Sequence, residues 1–428
     1  MQFGKQFLRV RVQKFLEALV KIKLRRINPK IIGVTGSFGK TSTKQAIYEV
    51  LKSRWRVSQS KKSLNTEIGL LLAVLEQPSG FSSPLRWGRI LFSACFNAFF
   101  GRKYDFLVLE YGADKPGDIQ HLIAVVKPNV AVITHVSRVH QAEGQFKSEK
   151  DVFEEKAKLT ECLDKSGVAI LNMDDKLIGT LNGKLAAKTF GFSGAGNTKA
   201  DIFANNLSHE KNGIAAEIHI GDAAVAANFP IAGTFHINLF LPALMVGILN
   251  GISLEDGIEA LQSFNLPPSR MSLIEGKNGS TLIDSSYNAS PETVKQAINL
   301  LKEFPGKRKI AVLGNMNELG NYSEAAHKDV GQSIGSWLDL LITVGESAKS
   351  IADSALKNGL PKSKIKALID PQAAAQLLET EIKEGDIILF KGSQNKVRLE
   401  RAVKKIMAHP ENAKELLCRQ EPEWEEII

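Results

Sequence analysis

The sequence predicts an α/β protein with two domains, each built on a parallel sheet. Its 428 residues exceed what one ordinary hydrophobic core requires. Short β-branched runs alternate with longer helical stretches, which is typical of strand–helix–strand units. The composition, 43% hydrophobic and 24% charged, excludes a disordered chain. We predict an N-terminal helix over 1–28, a central domain over 29–268 and a C-terminal domain over 269–428.

The first predicted element is a basic amphipathic helix. Residues 1–30 carry nine Lys/Arg and one Glu, whereas the whole chain has a net charge of +9. The remainder is therefore close to neutral, which argues against nucleic-acid binding. Apolar residues recur at helical spacing on one face, namely Leu8, Val12, Phe15, Leu19 and Ile22. Two interpretations stay open: a helix packed on the protein's own core, or one lying on an anionic membrane.

A second apolar segment extends from Trp87 to Phe100, between Arg86 and Arg89 on one side and Arg102 and Lys103 on the other. It is too short to span a bilayer. The pattern fits a core helix, and it equally fits a segment that dips into a membrane interface or covers a lipid-like substrate.

The strongest chemical signal is a glycine-rich loop between a strand and a helix. The run 31–35 is strand-like, and a helical stretch continues through Leu51. Such a loop lets backbone N–H groups surround phosphate oxygens, while Lys40 neutralises charge and the Thr41 hydroxyl holds Mg²⁺. This predicts a P-loop ATPase-like, parallel-sheet central domain whose nucleotide-binding residues are Gly36, Ser37, Gly39, Lys40, Thr41 and Ser42.

Two further polar residues follow strand-like runs. Glu110 comes after 106–109, and His140 comes shortly after 130–134. Ligands of open α/β sheets bind beyond the carboxyl ends of the strands, so we expect both side chains near Lys40 and Thr41 as metal or phosphate neighbours.

Several motifs in a fixed order give the chain a resemblance to the Mur ligase family over about residues 31–408. The order is TGSFGKTS, LNTEIG, EYGA, THVSRVH, EEKAKL, LNMDD, IDSSYNASPETV, AVLGNMNELG and FKGSQNKVRLE. The SYNASP and GNMNELG segments are most similar to the branch of the family that adds D-alanyl-D-alanine.

The resemblance implies an ATP-dependent ligase of peptidoglycan biosynthesis. Such enzymes phosphorylate a muropeptide carboxylate with ATP, and an amine such as D-Ala-D-Ala then attacks the acyl phosphate. It implies Lys40, His140 and Lys156 as catalytic residues, and Thr41, Glu110, His140 and Lys156 on the metal side. In related enzymes the lysine at the position of Lys156 is often carbamylated. An ordinary lysine on a charged helix is the alternative.

The C-terminal part begins after the linker-like Leu266–Pro268. Strand-like runs at 282–283, 309–313, 340–344 and 386–390 alternate with helical stretches, which predicts a Rossmann-like α/β domain. The resemblance implies nucleotide contacts for Arg270, Asp284 and Asn288, and substrate contacts for Asn65, Thr66, Lys391, Gly392 and Ser393.

One departure from the family concerns the N-terminal side. About 30 residues precede the loop, fewer than a UDP-sugar-binding domain requires, so we expect that domain to be lacking here. The basic helix and the Trp87–Phe100 segment would then hold the enzyme or a lipid-linked substrate at the inner face of the membrane, or a partner protein would supply the domain. The carrier, UDP or a lipid, stays open.

Three cysteines without a CxxC spacing, Cys95, Cys162 and Cys418, indicate a reducing, cytoplasmic compartment rather than a disulfide framework. Two functions other than the D-Ala-D-Ala ligase stay open: another amino-acid ligase of the superfamily, and a non-catalytic nucleotide-binding module at the membrane. The joint presence of Lys40, Thr41, Glu110, His140 and Lys156 favours an enzyme.

Overall fold

The structure is a computed structural model that describes residues 2–60, 66–80, 83–138, 144–210, 213–394 and 397–424, with side chains from residue 9 onward. It divides into two compact units. Unit 1 comprises Met1–Ser137 and Phe146–Phe264, and unit 2 comprises Arg138–Gln145 and Asn265–Ile428. Each unit has its own sheet, in agreement with the predicted α/β class.

Unit 1 is built on a nine-stranded sheet in the order β2-β3-β1-β4-β5-β6-β7-β8-β9. The pairs from β2 to β7 are parallel, and β7, β8 and β9 pair antiparallel. The strands are β1 (Lys30–Thr35), β2 (Val57–Gln59), β3 (Phe106–Glu110), β4 (Val130–Ile133), β5 (Val168–Asn172), β6 (Lys188–Ser193), β7 (Ile202–Glu210), β8 (Gly213–Ile220) and β9 (Ala223–Phe229). The central strand β1 therefore ends between the ends of β3 and β4.

The helices of unit 1 connect and cover these strands. They are α1 (Gln2–Ile27), α2 (Lys40–Lys52), α3 (Glu67–Val74), α4 (Pro84–Phe100), α5 (Asp118–Val125), α6 (Glu149–Glu161), α7 (Lys176–Gly179), α8 (Ile237–Ile248) and α9 (Leu254–Leu261). Helix α2 packs on strands β2 and β3 and on helices α8 and α9, so the helix that follows the glycine-rich loop is fixed against the sheet.

Helix α1 packs on α3 and α4. Leu16, Leu19 and Val20 are buried there, whereas Phe15 and Ile22 stay partly exposed. The buried face is thus rotated from the predicted one, and Leu19 is common to both. The face of α1 that carries Leu16, Leu19 and Val20 therefore packs on the protein's own core.

Unit 2 has a six-stranded sheet in the order β10-β11-β15-β12-β13-β14, in which only β10 runs antiparallel to its neighbour. The strands are β10 (Ser272–Glu275), β11 (Thr281–Ser285), β12 (Arg308–Gly314), β13 (Leu340–Val344), β14 (Ile365–Leu368) and β15 (Asp386–Lys391). The helices are α10 (Pro291–Glu303), α11 (Ser323–Gln332), α12 (Lys349–Lys357), α13 (Pro371–Glu381), α14 (Glu400–Ile406) and α15 (Ala413–Leu416). The carboxyl ends of β11, β15 and β12 lie side by side, which places Asp284, Lys391 and Gly314 at one edge.

Candidate active site

The loop between β1 and α2 has the backbone of a phosphate-binding loop. Gly36 has a φ of 151°, and a Cβ built on it would lie 2.0 Å from Oγ1 of Thr134. Gly39 precedes α2 in the left-handed region with a φ of 82°, and no side chain caps the helix. The first turn of α2 therefore keeps backbone N–H groups for an anionic ligand, and the helix dipole adds positive potential.

Polar contacts with the segment after β4 hold this loop in place. Oγ1 of Thr134 donates to the carbonyl of Phe38 at 2.6 Å. The N–H of Ser37 donates to the carbonyl of His135 at 2.7 Å. Asp175 fixes the same segment by accepting from the N–H of Val136 at 2.8 Å. The loop is thus preorganised by residues that the sequence analysis left without a role.

Lys40 lies over the loop. Its Nζ donates to the carbonyl of Gly36 at 2.7 Å and lies 3.5 Å from the carbonyl of Ser37. The amino group is therefore held at the loop by the loop's own carbonyls.

Thr41 and Glu110 are brought together at the adjacent strand ends. Oγ1 of Thr41 donates to Oε2 of Glu110 at 3.1 Å, and both side chains are buried. Lys44, which the sequence analysis missed, lies 2.9 Å from Oε1 of Glu110 and donates to the carbonyl and hydroxyl of Ser60. Thr41 and Lys44 are three residues apart on α2, a spacing that puts both on one helix face.

Among the described residues, no three His, Cys, Asp or Glu side chains form a metal-binding group. Mg²⁺ in phosphate-transfer sites usually takes one or two protein oxygens beside phosphate and water. The hydroxyl of Thr41 and the carboxylate of Glu110 are hard oxygen ligands at the phosphate loop, so these residues fit Mg²⁺.

Lys156 lies inside unit 1 rather than on a solvated helix face. Burial, followed by the nearby charge of Lys40, lowers the pKa of Lys156 to about 7, and the carboxylates of Asp114 and Glu155 oppose this shift. Glu155 accepts from the backbone N–H groups of Gly117 and Ile119 at the start of α5, and it pairs with Lys158. Lys156 is therefore a partly neutral amine close to Lys40.

Four other site residues of the central domain remain, of which the structure describes two. Thr66 caps α3 by accepting from the N–H of Gly69 at 3.2 Å. Ser42 is buried in the first turn of α2. Asn65 and His140 lie outside the described residues.

In unit 2, Asp284 and Lys391 occupy the ends of neighbouring strands. Asp284 is fully buried and accepts from the hydroxyl of Ser269 at 2.7 Å and the N–H of Ser286 at 3.0 Å. Burial raises the pKa of Asp284, and these hydrogen bonds oppose the shift. Burial, followed by the charge of Arg270, lowers the pKa of Lys391 to about 7, while Asp284 opposes this shift.

The remaining C-terminal candidates surround this pair. Nζ of Lys391 donates to the carbonyl of Asn288, and Oγ of Ser393 donates to the carbonyl of Ala289 at 3.2 Å. The SYNASP segment is thereby tied to the end of β15. A Cβ on Gly392 would lie 3.2 Å from Cα of Gly314, so this glycine permits close approach of two backbones.

Tyr287 carries two guanidinium groups close to its ring. Those of Arg270 and Arg419 lie 4.0 and 5.1 Å from the ring centroid. Arg419 also lies 3.4 Å from Oε2 of Glu400, whose other oxygen accepts from Arg398 at 2.9 Å. Arg419 lies far from every motif along the chain, so its sequence position does not indicate a role.

The fold and the loop define a phosphate-loop nucleotide-binding protein. Residues 34–247 match the Mur ligase middle domain, and residues 269–394 match the Mur ligase, glutamate ligase domain. The chain belongs to the Mur ligase family.

Relatives and solved structures agree with this membership. The UDP-N-acetylmuramoyl-tripeptide--D-alanyl-D-alanine ligase of Bacillus subtilis is 30% identical over 399 residues, 92% of this chain and 79% of that protein. The ligase of the same name from Synechocystis is 28% identical, over 90% and 76% of the two chains. The crystal structure of MurF ligase from Thermotoga maritima in complex with ADP has a TM-score of 0.76 and 28% identity, covering 95% of this chain and 84% of that one.

Proposed function

We propose that this chain is a MurF-like, ATP-dependent ligase of peptidoglycan biosynthesis, which joins D-Ala-D-Ala or a similar amine to a muropeptide carboxylate. The carrying observation is the phosphate loop with Lys40 above it and the Thr41–Glu110 contact beside it. The similarity to D-Ala-D-Ala ligases over most of both chains supports the substrates.

The reaction consists of two balanced steps. A carboxylate oxygen attacks the γ-phosphorus of ATP, so that ADP leaves and an acyl phosphate forms. The amine then attacks the carbonyl carbon, and collapse of the tetrahedral intermediate releases phosphate and a proton. Activation is required because a carboxylate by itself is a poor electrophile.

Residues of unit 1 stabilise the charge of the first step. Lys40 and the N–H groups at the start of α2 neutralise the phosphate oxygens as negative charge gathers there. Thr41 and Glu110 would hold Mg²⁺, together with His140 and Lys156. When bound, Mg²⁺ supplies further charge stabilisation on the transferred phosphoryl group.

Lys156 has a chemical property that suits carbamylation. Carbon dioxide adds to a neutral amine, and a pKa of about 7 leaves a large neutral fraction at neutral pH. The addition would turn the lysine into an anion beside Lys40 and would supply oxygen ligands on the metal side.

Unit 2 would contribute to nucleotide and amine binding. Arg270, Asp284 and Asn288 would contact the nucleotide, and Lys391, Gly392 and Ser393 would line part of the amine site. Asn65 and Thr66, from the central domain, would be further substrate-binding residues. The support is that the unit-2 residues lie together at adjacent strand ends.

The location of the enzyme is a further part of the proposal. In the described part of the chain, no helix is long and apolar enough to cross a membrane. We place the ligase in the cytoplasm, in peripheral contact with the inner membrane face, and a partner protein that recognises the sugar nucleotide stays compatible with this. The three cysteines are free thiols.

The test is phosphate release from Mg-ATP with UDP-linked or lipid-linked muropeptide, each with and without D-Ala-D-Ala. We expect release to require both substrates, and we expect Lys40→Ala to lower turnover about a thousandfold or more. Lys52→Ala, on the same helix but exposed, is the matched control. Full ATP-dependent turnover of Lys40→Ala would overturn the proposal.

A further inference from the structure

Helix α4 has two apolar faces, of which one is packed and one is exposed. Ile90, Ala94 and Ala98, at a spacing of four, are buried on the inner side. The outer side carries five large apolar residues that are between 49% and 84% exposed, namely Leu85, Phe92, Phe96, Phe99 and Phe100. Their spacing of seven, four, three and one puts them on one stripe of the helix, which we call the α4 stripe.

The stripe is a continuous surface. The rings of Phe96 and Phe100 lie 5.5 Å apart, and those of Phe99 and Phe100 lie 6.3 Å apart. Among the described side chains twelve large hydrophobic ones are exposed, and eight of these belong to α1 and α4. The exposed apolar surface is therefore concentrated on two adjacent helices, and such a concentration marks an interaction surface.

The helix that carries the stripe is firmly anchored. The guanidinium group of Arg26 donates to the carbonyls of Asn97, Ala98 and Gly101 at 3.2, 3.0 and 2.8 Å. These contacts satisfy carbonyls at the end of α4 and place a cation at the negative end of its dipole. The α4 stripe is thus exposed on a helix whose other side is packed and anchored.

The charges around the stripe have one sign. Residues 83–104 contain four Lys/Arg and no acidic residue, and α1 adds its own excess of Lys/Arg. Arg86 and Arg89 lie at the start of α4, and Arg102 and Lys103 follow its end, all exposed. Since the whole chain has a net charge of +9, the rest of the protein is net negative. The positive charge is therefore gathered where the exposed apolar surface lies.

We propose that the α4 stripe is a docking surface for an anionic phospholipid bilayer. A helix that lies in the interface buries its apolar face about 5–10 Å deep and keeps its cations at the level of the lipid phosphates. Phenylalanines with arginines at both helix ends match this arrangement, and anionic lipids complement the charge. A protein partner would instead need an apolar patch with an acidic rim. This inference rests on the peripheral membrane contact proposed above, for which it names the surface and the lipid charge, and it does not depend on the ligase reaction.

The test uses the full chain, because α1 is part of the packing of unit 1. Co-sedimentation is measured with vesicles of phosphatidylcholine containing about one third phosphatidylglycerol, and with phosphatidylcholine alone. We expect binding to the anionic vesicles that weakens with salt. In Phe92→Gln/Phe96→Gln the binding should be at least about tenfold weaker. Ile369→Gln is the matched control, because Ile369 is about as exposed as Phe92 but lies in unit 2, and this variant should bind like the parent protein.

The proposal is overturned if the parent protein does not co-sediment with anionic vesicles, or if Phe92→Gln/Phe96→Gln binds these vesicles as well as the parent protein does. Concentration-dependent dimerisation that this variant abolishes, without vesicle binding, would assign the stripe to a second copy. Thermal unfolding of each variant checks the fold. Phosphate release with soluble substrates should be unchanged in the variant, so failure of docking and failure of the ligase proposal give different results.

Discussion

The amino group of Lys44 lies 2.9 Å from Oε1 of Glu110, and both side chains are almost completely buried. Glu110 thereby has one oxygen directed to a lysine and the other to the hydroxyl of Thr41. A carboxylate in this position is fixed in place before any ligand binds, since both partners are on the same rigid helix, α2.

Removal of Lys44 should therefore destabilise unit 1. Lys44→Met leaves the charge of Glu110 buried without its cation, and we expect the free energy of unfolding in urea to fall by about 3–5 kcal/mol. Lys52→Met removes the exposed partner of Glu49 and should cost less than about 1 kcal/mol. Equal losses in the two variants would contradict the buried ion pair.

The lowered pKa of Lys156 predicts that ligase activity requires carbon dioxide in a pH-dependent manner. Because its pKa is lowered to about 7, the amine is increasingly protonated as the pH falls below 7 and can no longer add CO₂. We expect ligase activity to fall when bicarbonate is removed, to recover on its addition, and to need more of it at pH 6 than at pH 8. A carbamate signal from ¹³C-bicarbonate in the parent, absent in Lys156→Met, is the direct measurement. Activity insensitive to bicarbonate removal would contradict carbamylation.

Because of the buried His236, we expect the folded protein to lose stability in acid. Burial lowers the pKa of His236 to about 4, below the ordinary value of 6.5. Between pH 6.5 and 4 the unfolded chain therefore binds a proton that the folded chain does not. The contribution of the neutral His236 to the free energy of unfolding is present above pH 6.5 and is lost as the pH falls towards 4. The total loss of unfolding free energy over this pH range is about 3 kcal/mol.

The comparison for His236 is His236→Gln, which cannot titrate and keeps a donor for the carbonyl of Ala232. Urea unfolding at pH 7.5 and pH 5 should give a smaller acid loss in the variant than in the parent. Burial also lowers the pKa values of His135 and His327, so the difference between the two proteins is the informative quantity.

Substitution of Gly36 by alanine should cause both a steric clash and backbone strain in the loop. In Gly36→Ala the new Cβ would meet Oγ1 of Thr134 at 2.0 Å, and the loop must shift. We expect ATP affinity to fall at least about tenfold, since the loop positions the phosphates. Gly183→Ala has a positive φ of 73° and open space around it, so it isolates the backbone strain, about 1 kcal/mol. Unchanged ATP affinity in Gly36→Ala would contradict the role of this loop.

Much of the sheet could be predicted because buried parallel strands appear as continuous apolar runs. The runs at 31–35, 106–109 and 386–390 are all strands in the structure. The antiparallel strands β7 to β9 were missed. Their buried residues are interspersed with partly or fully exposed ones, and the apolar residues of β8 and β9 include several alanines, so no strong apolar run marks these strands.

The candidate site was predictable where a motif lies next to its own strand. Thr41 begins the helix after β1 and Glu110 ends β3, and the two side chains are in contact because those strands pair. Arg419 was not predictable, because its contacts with Tyr287 and Glu400 depend on how the end of the chain packs. Lys44 could have been predicted, since its spacing of three from Thr41 puts the two side chains on the same face of α2.

The contacts of Arg26 have a practical consequence for handling this protein. A recombinant chain that begins after Ile27 would leave the carbonyls at the end of α4 without their guanidinium donor and the inner face of that helix open to water. Both sides of α4 would then be apolar and solvent-exposed. Such a shortened protein should aggregate during purification, so binding data obtained with it would report on a damaged domain.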